Sequence, residues 1–145
     1  MKVIISTEEL EKIKAHGSES FPDEACGVMI GNITGTSENG GVVEVLETRR
    51  MRNINVGNPN RRYDIDPRDL MKMEDYAEDK KLELVGIYHS HPNHPSTPSQ
   101  YDLNHAWPNL SYLILSVQQG TPAKVDSWRL TEDRTRFFQE IIEIQ

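Results

Sequence analysis

The feature that most constrains the fold of this chain is the interleaving of short apolar segments with amphipathic helical segments. Six segments have the composition of β-strands, and a seventh near the end is a strand or a short helix. These segments are Val3–Ile5, Ala25–Ile33, Val42–Arg52, Leu82–Tyr88, Ser111–Val117, Lys124–Leu130 and Phe137–Ile144. Strands that alternate with helices predict an α/β or α+β layered domain around a central sheet.

Three helix starts carry the residue types that cap helices. Ser6 followed by Glu9 has the form of a capping box, and Asp66 precedes a proline that suits the first helical position. The third start lies at Thr97, just before another proline. The first helix is expected to fade near Gly17, and the third is expected to last until Pro108.

Length and charge exclude several classes of protein. A chain of 145 residues predicts one domain spanning residues 1–145. Its net charge of −7 argues against nucleic acid or an anionic membrane as the main partner, because both attract positive surfaces. The single cysteine cannot form an internal disulfide, and no apolar stretch resembles a signal peptide. We therefore expect a cytoplasmic protein, and the sequence leaves a homodimer open.

A cluster of histidines carries the strongest chemical signal. Four of the five histidines lie between residues 89 and 105. Because side chains alternate along a strand, His89 and His91 share one face at the end of a predicted strand. Two such imidazoles can bind one zinc ion at the usual Zn–N distance of about 2.0–2.1 Å. An aspartate or a third histidine would complete the site, and Asp102 is the natural candidate, with Ser99 on the same face of its helix.

These residues match a known pattern. His89-Ser90-His91-Pro92, then Ser99, then Asp102, resembles the signature of the JAMM (MPN-type) zinc metallopeptidases, which is His-x-His, seven residues, Ser, two residues, Asp. Upstream, the segment 22–27 is similar to the one in which that family carries its catalytic glutamate. The helix entry at residues 64–67 resembles that of the small bacterial members.

The resemblance implies a role for each site residue. His89, His91 and Asp102 would bind one zinc ion per chain. Glu24 would act as general base on a water molecule and then as general acid toward the leaving amine. Ser99 would donate a hydrogen bond to the oxyanion.

The resemblance also implies the fold and the substrate. The expected fold is a three-layer α/β/α domain with a mixed central sheet. Small bacterial members act on ubiquitin-like sulfur-carrier proteins, cleaving an amide bond after a C-terminal Gly-Gly, and such a tail could add as a strand beside a sheet edge. Two alternatives stay open, a non-catalytic scaffold and a zinc hydrolase of small-molecule amides. A deaminase is disfavoured, because its zinc site generally needs two cysteines.

Simpler interpretations exist for several of these residues. His105 could replace Asp102 as the third ligand, and Asp23 could replace Glu24 as the base. Ser99 could be only a helix cap, and His94 could face solvent or contact the substrate. Cys26 is interpreted as a small buried apolar residue rather than a nucleophile.

Two basic pairs lie near the asparagine-rich loop. Arg49-Arg50 and Arg61-Arg62 could bind an acidic partner or a carboxylate, although solvated charge is the default interpretation.

Overall fold

The computed structural model describes residues 1–145 and contains seven strands and three helices. The strands are β1 (Lys2–Ile5), β2 (Cys26–Thr34), β3 (Val42–Met51), β4 (Glu83–Pro92), β5 (Ser111–Gln118), β6 (Thr121–Leu130) and β7 (Phe137–Ile144). The helices are α1 (Thr7–Ser20), α2 (Pro67–Asp79) and α3 (Gln100–His105). All seven predicted strand segments therefore form strands, and a mixed α/β fold is confirmed.

The sheet closes on itself. Its strand order is β1-β3-β2-β4-β5-β6-β7, and β1 pairs in parallel with both β3 and β7. The strands β4 and β5 are also parallel, while the remaining neighbours are antiparallel, so the sheet is mixed as expected. The expected three-layer arrangement is not confirmed, because β1 joins the two ends of the sheet into a seven-stranded barrel.

The closed barrel limits where a substrate tail could add as a strand. Every strand has a neighbour on both sides, so the sheet has no edge strand that could accept an added strand along its whole length. Only strand ends that extend beyond their neighbours keep unpaired backbone groups.

Helices α1 and α2 cover opposite faces of β2. Met29 packs in the main core together with Leu10 and Ile13 of α1. Its neighbours Val28 and Ile30 instead pack around Ala77 of α2. Successive side chains of a strand point to opposite faces, which explains why this apolar run is buried on both sides.

The observed N-cap residue is the predicted one in two of the three helices. The Ser6 hydroxyl accepts a hydrogen bond from the Glu9 amide (3.1 Å), and Asp66 accepts one from the Arg68 amide (2.8 Å). The third cap is Ser99 rather than Thr97. None of the three helices combines the length and the apolar character needed to cross a membrane.

Helix α1 continues past Gly17, where the sequence predicted its end. A Cβ atom at residue 17 would lie 2.6 Å from Leu115 Cδ2, so the helix approaches β5 more closely there than a larger residue would allow. The glycine serves this close approach and does not end the helix.

Candidate metal centre and active site

Strand β4 presents two histidines at its end. His89 and His91 are both buried, and their Nε2 atoms are 3.1 Å apart. From α3, the Asp102 Oδ2 atom lies 3.3 Å from His89 Nε2 and 3.1 Å from His91 Nε2. The structure therefore brings the three predicted metal ligands together in one buried cluster.

The spacing of these three atoms suits a tetrahedral metal ion. Ligand atoms bound to zinc at about 2.0–2.1 Å in tetrahedral geometry lie roughly 3.3 Å from one another. The observed separations of 3.1–3.3 Å are close to that value.

The hydrogen bonding of His91 also fits a cation at this position. Its Nδ1 atom lies 2.8 Å from the carbonyl oxygen of Pro95. Because a carbonyl oxygen can only accept, Nδ1 carries the hydrogen, and in the neutral imidazole the Nε2 lone pair faces Asp102. A cation between these acceptor atoms would satisfy them, and the Pro95 carbonyl would hold the ring in the ligating tautomer.

The capping box of α3 holds Asp102, the third predicted ligand. The Ser99 hydroxyl oxygen accepts a hydrogen bond from the Asp102 amide (3.0 Å), and Asp102 Oδ2 accepts one from the Ser99 amide (2.9 Å). Ser99 is therefore the N-cap of α3. The same hydrogen bonds orient the carboxylate oxygen that faces the histidines.

Glu24 reaches this cluster from a position two residues before the start of β2. The Ser90 amide donates to the Ala25 carbonyl (3.0 Å), and the Ser90 hydroxyl accepts from the Ala25 amide (2.8 Å). Since β2 and β4 are antiparallel, this pairing places Glu24 beside the histidine that follows Ser90. Ser90 was assigned no role from the sequence, although its position between two ligands already directed it to the opposite face.

The surroundings of Glu24 favour proton transfer. A carboxylate oxygen of Glu24 and a ring nitrogen from each of His89 and His91 all lie within 4.8 Å of one another. Its Oε1 atom is buried without a hydrogen-bond partner. Burial raises the pKa of Glu24 to about 7, although the two histidines oppose the rise.

The electrostatics of Asp102 differ from those of Glu24. Burial alone would raise the pKa of Asp102, but the charge of His89 and the hydrogen bonds with His89, His91 and the Ser99 amide hold it well below its usual range. Asp102 is therefore the carboxylate that stays ionised, and its Oδ2 atom lies within 3.3 Å of both imidazoles. Two carboxylates with opposite shifts can take different roles, one as ligand and one as base.

The loop that supplies the Pro95 carbonyl is anchored to β6. The buried Ser96 hydroxyl donates to Asp126 (2.6 Å), and the Trp128 indole donates to the Ser96 carbonyl (2.9 Å). These bonds fix the backbone that orients His91.

Two residues of the loop between β3 and α2 also support the site. The Tyr63 ring stacks on His89 with ring centroids 4.5 Å apart. The Asn53 side-chain amide donates to the carbonyls of Glu24 (3.2 Å) and Arg62 (3.0 Å), which ties this loop to the candidate base. Sequence reasoning identified the segment only as a loop and missed both residues.

The alternative site residues lie outside the cluster. His105 is exposed, and its Nδ1 atom lies 2.8 Å from the Tyr101 carbonyl rather than near the other histidines. Asp23 is on the surface, whereas Glu24 is buried. Cys26 is fully buried, and burial raises its pKa to about 12, which confirms its interpretation as a small buried residue.

Known proteins are similar to this chain in structure or in sequence. The solution structure of protein DSY2949 from Desulfitobacterium hafniense superposes with a TM-score of 0.83 at 26% identity, covering 100% of this chain and 93% of that one. A desampylase from Haloferax volcanii is 28% identical over 120 residues, which are 79% of this chain and 81% of the relative. A CysO-cysteine peptidase from Mycobacterium tuberculosis is 28% identical over 134 residues, with coverages of 90% and 84%.

The match to a known family covers most of the chain. Residues 6–131 match the family described as prokaryotic homologs of the JAB domain. Named relatives of the chain are peptidases or desampylases, so the expectation of a hydrolytic enzyme is confirmed along with the JAMM resemblance. The chain belongs to the prokaryotic homologs of the JAB domain and is an enzyme of the JAMM peptidase type.

Proposed function

We propose that this protein is a zinc-dependent peptidase that cleaves the amide bond after the C-terminal Gly-Gly of a ubiquitin-like sulfur-carrier protein. His89, His91 and Asp102 would bind one zinc ion. The observation that carries this proposal is the cluster of three ligand atoms 3.1–3.3 Å apart with a buried, unpaired carboxylate beside it.

Zinc would supply Lewis acidity, which brings the pKa of a bound water molecule to about 7 and polarises a carbonyl group. Glu24 would accept the proton of the attacking water on a carboxylate oxygen and later donate it to the leaving amine. A pKa of about 7 suits both transfers at neutral pH, because the group is then neither a strong acid nor a strong base. Its Oε1 atom is free to take the proton, since no side chain competes for it.

Ser99 would stabilise the oxyanion. Its hydroxyl oxygen accepts the Asp102 amide hydrogen in the capping box, which leaves the hydroxyl hydrogen available to donate. Ser99 lines the same cavity as Glu24 and His91. A donor held in advance by a helix cap stabilises developing charge without having to reorient.

The substrate class is supported by the relatives and by the shape of the site. The relatives include a CysO-cysteine peptidase and a probable TtuB-protein conjugate cleaving protease from Thermus thermophilus. No strand has a free edge along its whole length, so the tail would lie across the site between the loop at residues 52–66 and the loop at residues 93–99, which both line the cavity beside Glu24. Glycine at the scissile bond suits close approach to the metal, because it has no side chain to exclude.

The test uses a sulfur-carrier protein whose Gly-Gly terminus is extended by one residue. Zinc-loaded wild-type enzyme should shorten it by one residue in mass spectrometry. Glu24→Gln should keep one zinc per chain and lose about 10²- to 10⁴-fold in kcat, the usual contribution of a general acid–base group. Asp23→Asn is the matched control and should retain wild-type turnover. Wild-type turnover by Glu24→Gln, or absence of zinc after reconstitution, would overturn the proposal, and absence of zinc would favour a scaffold.

A further inference from the structure

We infer that Arg61 binds the free α-carboxylate of the leaving amino acid and thereby sets the specificity of this site. The enzyme would then prefer a carrier protein extended by a single amino acid over one joined to a lysine side chain. This inference rests on the proposed function and narrows its substrate class.

Arg61 shares a cavity with the catalytic groups. This cavity, of about 240 Å³, is lined only by polar residues and prolines. Glu24, His91 and Ser99 line it together with Arg61 and His94. Glu24 would protonate the leaving amine, so the leaving group is released into the cavity that Arg61 lines.

The backbone around Arg61 is fixed relative to Glu24. The Glu24 amide donates to the Pro59 carbonyl (2.8 Å), two residues before Arg61. The Arg61 amide donates to the Asn58 carbonyl (3.1 Å) within the same turn. These bonds hold the backbone at Arg61 next to Glu24, so that only the Arg61 side chain must adjust to a ligand.

The guanidinium group of Arg61 has no carboxylate partner. Nine of the 16 lysine and arginine residues form ion pairs within 4.0 Å, as expected in a chain of net charge −7. Arg61 is not among them, and its side-chain contact is with His94 Nε2 at 3.5 Å. The neighbouring Arg62 instead lies over the Tyr101 ring, 4.7 Å from its centroid. Arg61 is therefore available to a ligand anion, whereas Arg62 is engaged.

The chemistry of the leaving group favours a carboxylate as that anion. When a single amino acid leaves, its carboxylate is attached to the carbon that carries the amine. It must therefore enter the same cavity as the nitrogen that Glu24 protonates. A guanidinium group matches a carboxylate with two parallel hydrogen bonds. A lysine linked through its side chain has a methylene group at this position and offers nothing for Arg61 to bind.

The test compares three substrates built on one carrier protein ending in Gly-Gly. The first is extended by alanine, the second by alanine amide, and the third is linked to the Nε atom of a lysine peptide. Wild-type enzyme should have a kcat/KM for the acid about 10- to 100-fold above that for the amide, since hydrogen bonds to charged groups contribute this much. Arg61→Ala should bring this ratio close to one.

Arg62→Ala is the matched control and should keep the wild-type ratio. Equal wild-type kcat/KM values for acid and amide would overturn the inference and leave the proposed function standing, as would an unchanged ratio in Arg61→Ala. If zinc-loaded wild-type enzyme cleaves none of the three substrates, the proposed function fails and the inference fails with it.

Discussion

Replacing Glu24 by glutamine should stabilise the metal-free protein, although the same substitution lowers the kcat of the zinc-loaded enzyme. Burial raises the pKa of Glu24 from 4.5 to about 7, so the folded protein binds this proton more tightly than the unfolded chain does. Between these two values, stability falls as pH rises, because the unfolded chain releases the proton first. Ionised Glu24 therefore destabilises the fold above pH 7, and the effect disappears below pH 4.5.

The magnitude follows from the pKa difference. At about 1.4 kcal/mol per pKa unit, glutamine should raise the free energy of unfolding by about 3 kcal/mol at pH 8. At pH 5, where the folded protein keeps the proton and the unfolded chain has mostly lost it, the gain should be only about 1 kcal/mol. For a domain of this size, 3 kcal/mol corresponds to a Tm increase of roughly 10 °C.

Urea denaturation of EDTA-treated wild type, Glu24→Gln and Asp23→Asn at both pH values measures these differences. Asp23 is exposed, so its variant should stay within about 0.5 kcal/mol of wild type. The reasoning is refuted if Glu24→Gln is no more stable than wild type at pH 8, or if its gain is the same at pH 5.

Three further substitutions probe the site and the barrel. His89→Ala should reduce bound zinc from one per chain to a small fraction, measured by metal analysis, and full occupancy would remove it from the ligand set. Ser90→Ala should lower kcat about tenfold at unchanged zinc content, because it removes the side-chain hydrogen bond with the Ala25 amide and so loosens the position of Glu24. An unchanged kcat would show that Ser90 does not position Glu24. Gly31→Ala should destabilise the fold by about 1–3 kcal/mol in urea, because its Cβ would clash with the Glu44 carbonyl; wild-type stability would show that the strand can shift.

The grouping of the proposed metal ligands could be predicted because it depends on local geometry. Strand alternation places His89 and His91 on one face, and the first turn of a helix places Ser99 near Asp102. The helix start predicted at Thr97 was wrong. Both Thr97 and Ser99 precede the helix, and only the observed hydrogen bond from the Asp102 amide identifies Ser99 as the cap. Glu24 is buried and Asp23 is exposed in the structure. The sequence could not show this difference, because the two carboxylates are adjacent.

Sequence alone thus determined the family, the enzyme class and which side chains share a face within each element, since these depend on motif spacing and on the periods of strand and helix. Tertiary structure decided how those faces meet. Ser90 and Ala25 are 65 residues apart, yet their pairing delivers Glu24 to the histidines. Likewise, β1 closes the barrel by pairing with β3 and β7, which no local pattern specifies. Such contacts depend on the register between distant strands, and register is set only when the whole core packs.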